Sequence, residues 1–184
     1  MRVFVIGVSC VGKTTIGARL AELLRCQFFD LDQEIERFFG TGIERLRNRF
    51  LTMHSFRDEA AKALVHLLSR PNSRDCVIAL PPSGLMGAYL RIVRRAGGTS
   101  VVLNDKPENI LERIRFYDMD SRPIEKVLTQ DEERLYLREI KKDLSYFRQS
   151  YDRGDLQIDI SGLDGIGAAR KVKEALVATA IKIG

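Results

Sequence analysis

Cysteine is scarce in this sequence, and the few cysteines that occur are spread far apart. The 184 residues include three of them, Cys10, Cys26 and Cys76, and no two form a CxxC pair. An odd and widely spaced set predicts neither a disulfide framework nor a zinc site. Free cysteines of this kind are typical of a reducing compartment, so we expect a cytoplasmic protein.

Long apolar runs are also missing. No run approaches the ~20 residues that a helix needs to cross a bilayer. Arg2 leads directly into a strand-like segment, without the pattern of a cleavable signal. We therefore expect neither a membrane protein nor a secreted one.

The excess of positive charge is small. The chain has 30 Lys and Arg residues against 25 Asp and Glu, a formal charge of +5, which favours anionic partners without singling out nucleic acid. Small phosphorylated ligands fit this charge as well, and no stripe of aromatic and basic residues indicates a nucleic-acid surface. The expected partner is a small anionic molecule, and nucleic acid is not expected.

Short apolar segments alternate along the chain with segments of helical spacing. The length and the hydrophobic content of 45% suit a single domain over 1–184, without linker or internal repeat, and we expect a monomer. Strands that alternate with helices predict a parallel sheet covered on both faces. The segment 116–131 is polar and weakly periodic, and it is assigned no element. The expected strands lie near 3–6, 28–32, 77–80, 100–103 and 157–160, and the expected helices start near 13, at two or three points within 33–66, and near 85, 108, 132 and 165.

A glycine-rich loop stands between the first expected strand and the first expected helix. Gly7, Gly12, Lys13 and Thr14 fit the pattern G-x-x-x-x-G-K-[ST] in the context that this pattern requires. Such a loop wraps phosphates with backbone N–H groups, the lysine reaches the outer phosphates, and the threonine can bind magnesium. The residues expected to contact the nucleotide are Gly7, Ser9, Cys10, Val11, Gly12, Lys13, Thr14 and Thr15.

Cys10 lies inside this loop, and two interpretations of it stay open. A helix N-terminus lowers the pKa of a nearby thiol, which would permit redox control. The favoured interpretation is a small side chain tolerated in a loop whose contacts are made by its backbone.

Two carboxylates close the second expected strand. In an extended chain Asp30 and Asp32 point to the same side, and the carboxyl ends of parallel strands face the ligand crevice. Asp30 is a candidate magnesium ligand, and Asp32 is a candidate to accept a proton from the hydroxyl that is phosphorylated. Alternatively, Asp32 caps the helix that starts at Gln33.

With these features the sequence resembles the shikimate kinase family over nearly its whole length. The glycine loop is followed by further matching residues, and the helical segment after Asp32 matches as well. In the family the terminal phosphate of ATP is transferred to a hydroxyl of shikimate, and an arginine-bearing lid closes over the phosphates. The segments that carry the resemblance are 7–17, 20–24, 29–32, 35–36, 40–43, 55–57 and 122–124.

The resemblance implies a role for each matching residue. Lys13 and Thr14 would hold ATP and Mg²⁺, and Asp30 would support the metal. Asp32 would contact the hydroxyls of the acceptor, and Arg57 would bind its carboxylate. An acceptor-binding helical segment is implied at about 33–66.

It also implies roles for arginines further along the chain. Arg122, in a lid at about 116–134, would neutralise the transferring phosphate, a role suited to a permanent charge on a planar fork. An arginine is expected against the adenine. The spacing to Arg122 favours Arg115, whereas the helix phase favours Arg113, so both remain candidates.

The acceptor side departs from the family pattern at several positions. Where the family has a run of glycines after the third strand, this chain has Leu80-Pro-Pro-Ser-Gly84, and proline neither donates an N–H nor leaves space. A family glutamate is replaced by Ala60, and the second carboxylate-binding arginine has no clean match, although Arg148 is the weak favourite over Lys142. We interpret these changes as a rebuilt acceptor pocket. The alternative is that the prolines merely end a strand in a pocket that still works through Asp32, Arg57 and Ser83.

These observations together predict a three-layer α/β P-loop kinase fold, with a five-stranded parallel sheet, helices on both faces and a mobile lid. The expected function is that of an ATP-dependent small-molecule kinase, with shikimate or a related anionic molecule as acceptor. A kinase of another sugar acid, polyol or nucleotide remains an alternative. So does an ATP-binding sensor or partner-binding protein that has lost the transfer.

Overall fold

The computed structural model describes residues 1–118, 120 and 122–183, and most of their strands belong to one parallel sheet. Its strand order is β2-β3-β1-β4-β7, and every neighbouring pair runs parallel. A separate antiparallel pair joins β5 to β6. The strands are β1 (Arg2–Ile6), β2 (Gln27–Asp30), β3 (Cys76–Ala79), β4 (Thr99–Asn104), β5 (Phe116–Tyr117), β6 (Pro123–Ile124) and β7 (Leu156–Asp159).

Helices pack around this sheet. The most extensive contacts between helices join α1 to α8 and α4 to α5, while α2 packs on α4 and α6 on α7. The expected three-layer fold and its five-stranded parallel sheet are confirmed. The helices are α1 (Lys13–Leu24), α2 (Leu31–Phe39), α3 (Ile43–Arg47), α4 (Met53–Ser69), α5 (Gly87–Ala96), α6 (Pro107–Glu112), α7 (Gln130–Tyr151) and α8 (Gly165–Ile183).

The central strands explain why the sequence showed continuous apolar runs. In β1 all residues from Val3 to Ile6 are buried, and β3 is buried along its full length. A strand covered on both faces shows no alternation, because both sets of side chains enter the core.

Among the helices of the described residues, none combines the length and the apolar composition that a membrane span requires.

The second strand ends earlier than expected, and this changes the setting of one carboxylate. β2 stops at Asp30, and Asp32 lies in the first turn of α2. The expectation that Asp30 and Asp32 share one side of a strand is therefore wrong. The alternative that Asp32 caps the helix is also wrong, because the Asp30 carboxylate accepts the Asp32 N–H at 3.0 Å and is itself the cap.

The turn after β3 delays the next helix. Helix α5 begins at Gly87 rather than near residue 85. Pro81 and Pro82 are followed by a tight turn in which the Gly84 N–H donates to the Pro81 carbonyl at 2.8 Å and the Met86 N–H to the Ser83 carbonyl at 2.9 Å. The helix can begin only after this turn is complete.

The segment 116–131, to which no element was assigned from the sequence, contains the hairpin β5–β6. Two-residue strands are too short to show an alternating pattern. The expected lid spans 116–134, and its residues 119 and 121 lie outside the described residues. The hairpin rests on α7, where the rings of Phe116 and Tyr136 lie 5.6 Å apart and Lys126 lies over both.

Candidate active site

The carboxyl ends of three neighbouring strands converge on one edge of the sheet. The loop that starts at Gly7 follows β1, Asp30 ends β2, and the turn at Pro81 follows β3. Parallel strands place such ends side by side, and ligands of open α/β sheets bind there. The topology therefore brings the glycine loop, the carboxylates and the diproline turn into one crevice.

The glycines of the loop are required by its shape. Gly7 has φ +153°, and a Cβ there would lie 2.9 Å from the Leu103 carbonyl oxygen. Gly12 has φ +109° and directly precedes α1, so it provides no side-chain cap for that helix. The first N–H groups of α1 are thus left for a ligand, and the helix dipole favours an anion at this point.

Cys10 adopts an unusual backbone conformation within the loop. Its φ is +60°, a left-handed value that is uncommon outside glycine. Such strain is held in place by the surrounding structure and is frequent at functional loops. The thiol is half-buried and free, and its redox role stays a prediction.

Lys13 lies beneath the loop in contact with its backbone. The Nζ atom donates to the carbonyl oxygens of Val8 at 2.9 Å and Gly7 at 3.1 Å. Burial lowers the pKa of Lys13, against the opposing pull of the Asp32 and Asp30 carboxylates. The ammonium is held close to the loop, where an incoming phosphate would replace two neutral carbonyl partners with charged oxygens.

Thr14 and Asp30 form a pair of oxygen donors beside the loop. The Thr14 hydroxyl donates to the Asp30 Oδ2 atom at 2.6 Å. Hydroxyl and carboxylate oxygens suit Mg²⁺, which is usually held by one or two protein groups, waters and phosphates. The described residues contain no cluster of three or more His, Cys, Asp or Glu that could hold a metal ion.

Asp32 is half-buried next to these groups, with one buried and unpaired oxygen. Its Oδ1 atom has no hydrogen-bond partner within the part of the chain that the structure describes. Burial and the nearby Asp30 carboxylate raise the pKa of Asp32 from 3.8 to about 6, although Lys13 acts in the opposite direction. A carboxylate with such a pKa is a suitable general base near neutral pH.

The residues expected to bind the acceptor are brought only partly together. Arg57 lies half-buried on α4, and none of its side-chain donors is used in an ion pair or hydrogen bond among the described residues. Ser83 is buried in the turn after β3. Arg148 lies on an exposed face of α7, and no hydrogen bond among the described residues joins it to Asp32 or Arg57.

Two residues that the sequence did not indicate also lie on the acceptor side. Tyr89, on α5, is buried, and the charges of Asp32 and Arg57 both act on its hydroxyl. Arg153, just after α7, donates to the Leu85 carbonyl at 3.3 Å. Tyr89 had the helical spacing of a core residue, so no sequence signal distinguished it.

The two arginine candidates for the adenine differ clearly in position. Arg113 donates to the Asp105 carboxylate at 2.6 Å and to the carbonyl of Val11, within the glycine loop, at 3.3 Å. Arg115 is exposed, and its guanidinium reaches only the Ile114 carbonyl, at 3.4 Å. The structure therefore brings Arg113, and not Arg115, to the loop.

Asp105 anchors that arginine and was not among the residues singled out from the sequence. Its side chain is fully buried and also accepts hydrogen bonds from Asn109 at 2.6 Å and Ser161 at 3.1 Å. Burial alone would raise the pKa of Asp105, but the hydrogen bonds from Asn109 and Arg113 outweigh it and lower the pKa. The carboxylate stays ionised and fixes the guanidinium of Arg113.

Arg122 stands on the hairpin, apart from the loop. Its backbone is fixed by the Asp118 carboxylate, which accepts the Arg122 N–H at 2.9 Å, while its side chain is exposed. No hydrogen bond or ion pair among the described residues joins Arg122 to Lys13. Asp120 pairs with Arg45 of α3 at 2.6 Å and so links the hairpin to the helical segment after β2.

Comparison with known proteins decides the family. The family model described as "Shikimate kinase" matches residues 9–157. The chain belongs to the shikimate kinase family. A shikimate kinase from Moorella thermoacetica is 30% identical over 177 residues, which cover 96% of this chain and 94% of that protein. A bifunctional shikimate kinase/3-dehydroquinate synthase from Thermotoga maritima is 31% identical over 84% of this chain, which spans 29% of that longer protein.

Solved structures show the same fold as this member of the shikimate kinase family. Shikimate kinase from Acinetobacter baumannii, in complex with shikimate, has a TM-score of 0.75 at 22% identity and matches 97% of this chain and 93% of its own. A gluconokinase from Sinorhizobium meliloti has a TM-score of 0.63 at 18% identity and matches 99% and 94% of the two chains. The fold is therefore shared between kinases whose acceptors differ.

Proposed function

We propose that the protein transfers the terminal phosphate of ATP to a hydroxyl of shikimate. The observation that carries this proposal is the placement of Asp32 beside the glycine loop. Asp32 lies in the first turn of α2, and the Asp30 carboxylate two residues before it accepts a hydrogen bond from Thr14, the neighbour of Lys13, at 2.6 Å. A lysine that can bind phosphate, next to a half-buried carboxylate with one unpaired oxygen, is the arrangement required to bring a phosphoryl group and a hydroxyl together.

The nucleotide side is responsible for holding and neutralising phosphate. Gly7 and Gly12 open the loop so that its N–H groups face the phosphates, and Lys13 binds the outer phosphate oxygens. Thr14 and Asp30 would hold Mg²⁺, which would neutralise phosphate charge when bound. Arg113, fixed by Asp105 against the loop, is assigned to the adenine.

The acceptor side is responsible for orienting the hydroxyl. Asp32 accepts a hydrogen bond, and then the proton, from the attacking hydroxyl, as its pKa of about 6 permits. Arg57 binds the carboxylate of the acceptor, and Ser83 lines the pocket. Arg148 is kept as a weaker candidate, because it would have to approach from an exposed face of α7.

The hairpin is assigned the role of lid. Arg122 would move over the phosphates on closure and stabilise the charge of the transferring group. The ion pair between Arg45 and Asp120 would be the link between closure and the acceptor-binding segment 33–66. We keep a monomer and a cytoplasmic location as part of this proposal.

A related hydroxy acid is the second candidate acceptor. Pro81 and Pro82 remove two backbone N–H donors from the turn after β3, so the pocket is not built to bind shikimate through that backbone. The fold is also shared with a gluconokinase. Gluconate is therefore the compound to test beside shikimate.

The test is an assay of ADP release with ATP and Mg²⁺, run with shikimate, with gluconate and without acceptor. The proposal expects release that depends on shikimate and disappears in Lys13→Ala. Release that depends on gluconate alone would replace shikimate with the second candidate. ATP binding without release for either acceptor would contradict the proposed function.

A further inference from the structure

We propose that the hydroxyl of Tyr89 is a hydrogen-bond donor to the acceptor and selects for an acceptor oxygen between Asp32 and Arg57. This inference rests on the proposed function, because it assigns a specificity residue to the same pocket. The Tyr89 hydroxyl would take the place of the backbone N–H donors that Pro81 and Pro82 lack.

The first observation is that Tyr89 is buried without satisfying its polar atom. The residue is 1% exposed, and its hydroxyl has no hydrogen-bond partner among the described residues. A buried hydroxyl without a partner is unfavourable, and native structures rarely keep one without a ligand or water to satisfy it. Phenylalanine would fill the same volume without this cost.

The second observation is the place of this hydroxyl. Tyr89 is in the first turn of α5, which packs against α4, the helix that carries Arg57. The phenol faces the charges of Asp32 and Arg57, the two residues assigned to the acceptor, and both charges act on its pKa. Asp32 itself keeps a buried, unpaired Oδ1 atom. Helices α2 and α5 thus each present one buried polar atom without a partner among the described residues on the side assigned to the acceptor.

The third observation is the shortage of backbone donors at this point. Within 80–84, the Leu80 N–H donates to Val5 and the Gly84 N–H to Pro81. Pro81 and Pro82 have no N–H to offer. Ser83 is left as the residue of this turn that can present an N–H or hydroxyl to a ligand, so a further donor must come from elsewhere.

The chemistry of the three side chains is complementary. Ionised Asp32 only accepts hydrogen bonds, and Arg57 only donates. Burial, followed by the Asp32 charge, raises the pKa of Tyr89, so the phenol keeps its proton and can donate. A molecule with a hydroxyl for Asp32, a carboxylate for Arg57 and a further oxygen for Tyr89 fits this set. The acceptor class is therefore a polyhydroxylated carboxylic acid.

The chain offers a matched control for this contact. Tyr151 is also buried, at 5% exposure, with a hydroxyl that has no partner among the described residues. It stacks on Phe147 at 5.7 Å, and the charge that acts on it is that of Asp143 rather than of an acceptor residue. Tyr151→Phe removes the same atom from the core without touching the pocket.

The first experiment compares the steady-state kinetics of Tyr89→Phe and Tyr151→Phe with those of the unchanged protein. We expect Tyr89→Phe to raise KM for shikimate by about tenfold, since one hydrogen bond to a buried donor is lost, with KM for ATP within about twofold. Tyr151→Phe should change neither constant. Equal constants in the two variants would overturn the inference.

A second experiment separates this inference from the proposed function. Binding of shikimate, quinate and gluconate is measured by calorimetry in the presence of ADP, for the unchanged protein and both variants. A selective loss of affinity in Tyr89→Phe for any of the three acids supports the inference even if shikimate is not phosphorylated. Binding that Tyr89→Phe leaves intact, or no binding of any acid to the unchanged protein, contradicts it.

Discussion

The two halves of the crevice differ in how far the protein satisfies its own polar groups. On the nucleotide side Lys13, Thr14 and Arg113 all donate to protein oxygens at 3.3 Å or less. On the acceptor side Asp32 and Tyr89 keep buried oxygens that no described residue satisfies. The nucleotide half is thus preorganised by its own contacts, whereas the acceptor half keeps polar atoms that a ligand could satisfy.

This difference indicates where the sequence is free to change. Phosphate binding relies on backbone geometry and a few fixed side chains, so the loop keeps the pattern of its family. Acceptor recognition relies on individual side-chain contacts, which can be exchanged one by one. The departures from the family pattern at Pro81, Pro82 and Ala60 all fall on the side proposed for the acceptor.

The largest effect should follow the loss of the central contact of the nucleotide half. Lys13→Ala should lower kcat by about a thousandfold, because the transferring phosphate loses its buried positive charge. Lys173→Ala is the matched control, since Lys173 also donates to a backbone carbonyl, that of Leu23, but lies on α8. A kcat for Lys13→Ala within tenfold of that of the control would contradict a role of Lys13 in the transfer.

The second-largest effect should come from Arg122, if the lid contributes to phosphate transfer rather than to the binding of ATP. Arg122→Ala should lower kcat by about a hundredfold, because an arginine on a transferring phosphate acts in the transition state. The dissociation constant of ATP should stay within about threefold of its normal value. Arg19→Ala, an exposed arginine of α1 paired with Glu22, is the control. Equal losses in kcat and ATP affinity would count against a lid role.

The dependence of kcat/KM on pH should test whether Asp32 is the base on the acceptor side. The pKa of Asp32 is raised from 3.8 to about 6, so the carboxylate is protonated, and cannot accept a proton, below that pH. We expect kcat/KM for the acceptor to fall about tenfold per pH unit below pH 6. Asp32→Asn should lose most of the activity, and the remaining activity should no longer show this acidic fall. A limb near pH 4 would show that Asp32 is not the base.

The smallest effects should separate the two candidate adenine arginines. Arg113→Ala should raise KM for ATP by about tenfold, since the arginine held by Asp105 against the loop is lost. Arg115→Ala should change it by less than about twofold, because that side chain is exposed. Steady-state kinetics at saturating acceptor measure both. The reverse order would assign the adenine contact to Arg115.

The sequence was sufficient where structure follows from local pattern. The buried strand before Gly7, the loop to Thr14 and the start of α1 at Lys13 are set by neighbouring residues, and each was predicted. The parallel sheet followed from the alternation of strands and helices. The family resemblance carried the roles of the acceptor residues.

The sequence was insufficient where position depends on packing across the fold. Asp30 rather than Asp32 caps α2, because the strand ends two residues earlier than expected. The choice of Arg113 over Arg115 depends on Asp105, eight residues before it, and on a carbonyl of the glycine loop. From its spacing in the helical segment, Tyr89 is indistinguishable from a core residue, and only its neighbours in the fold suggest another role. The cap at Asp30 is a local contact that the expected strand end concealed, whereas the positions of Arg113 and Tyr89 depend on tertiary contacts without a local signal.

The measurement that tests the central claim most directly is the mass of the product. The protein is incubated with ATP, Mg²⁺ and an equimolar mixture of shikimate and gluconate, with Lys13→Ala in parallel. We predict phosphorylated shikimate in an amount that matches the ADP formed, and none with Lys13→Ala. Formation of ADP without a phosphorylated acid, or of phosphorylated gluconate alone, would contradict a shikimate kinase with a rebuilt pocket.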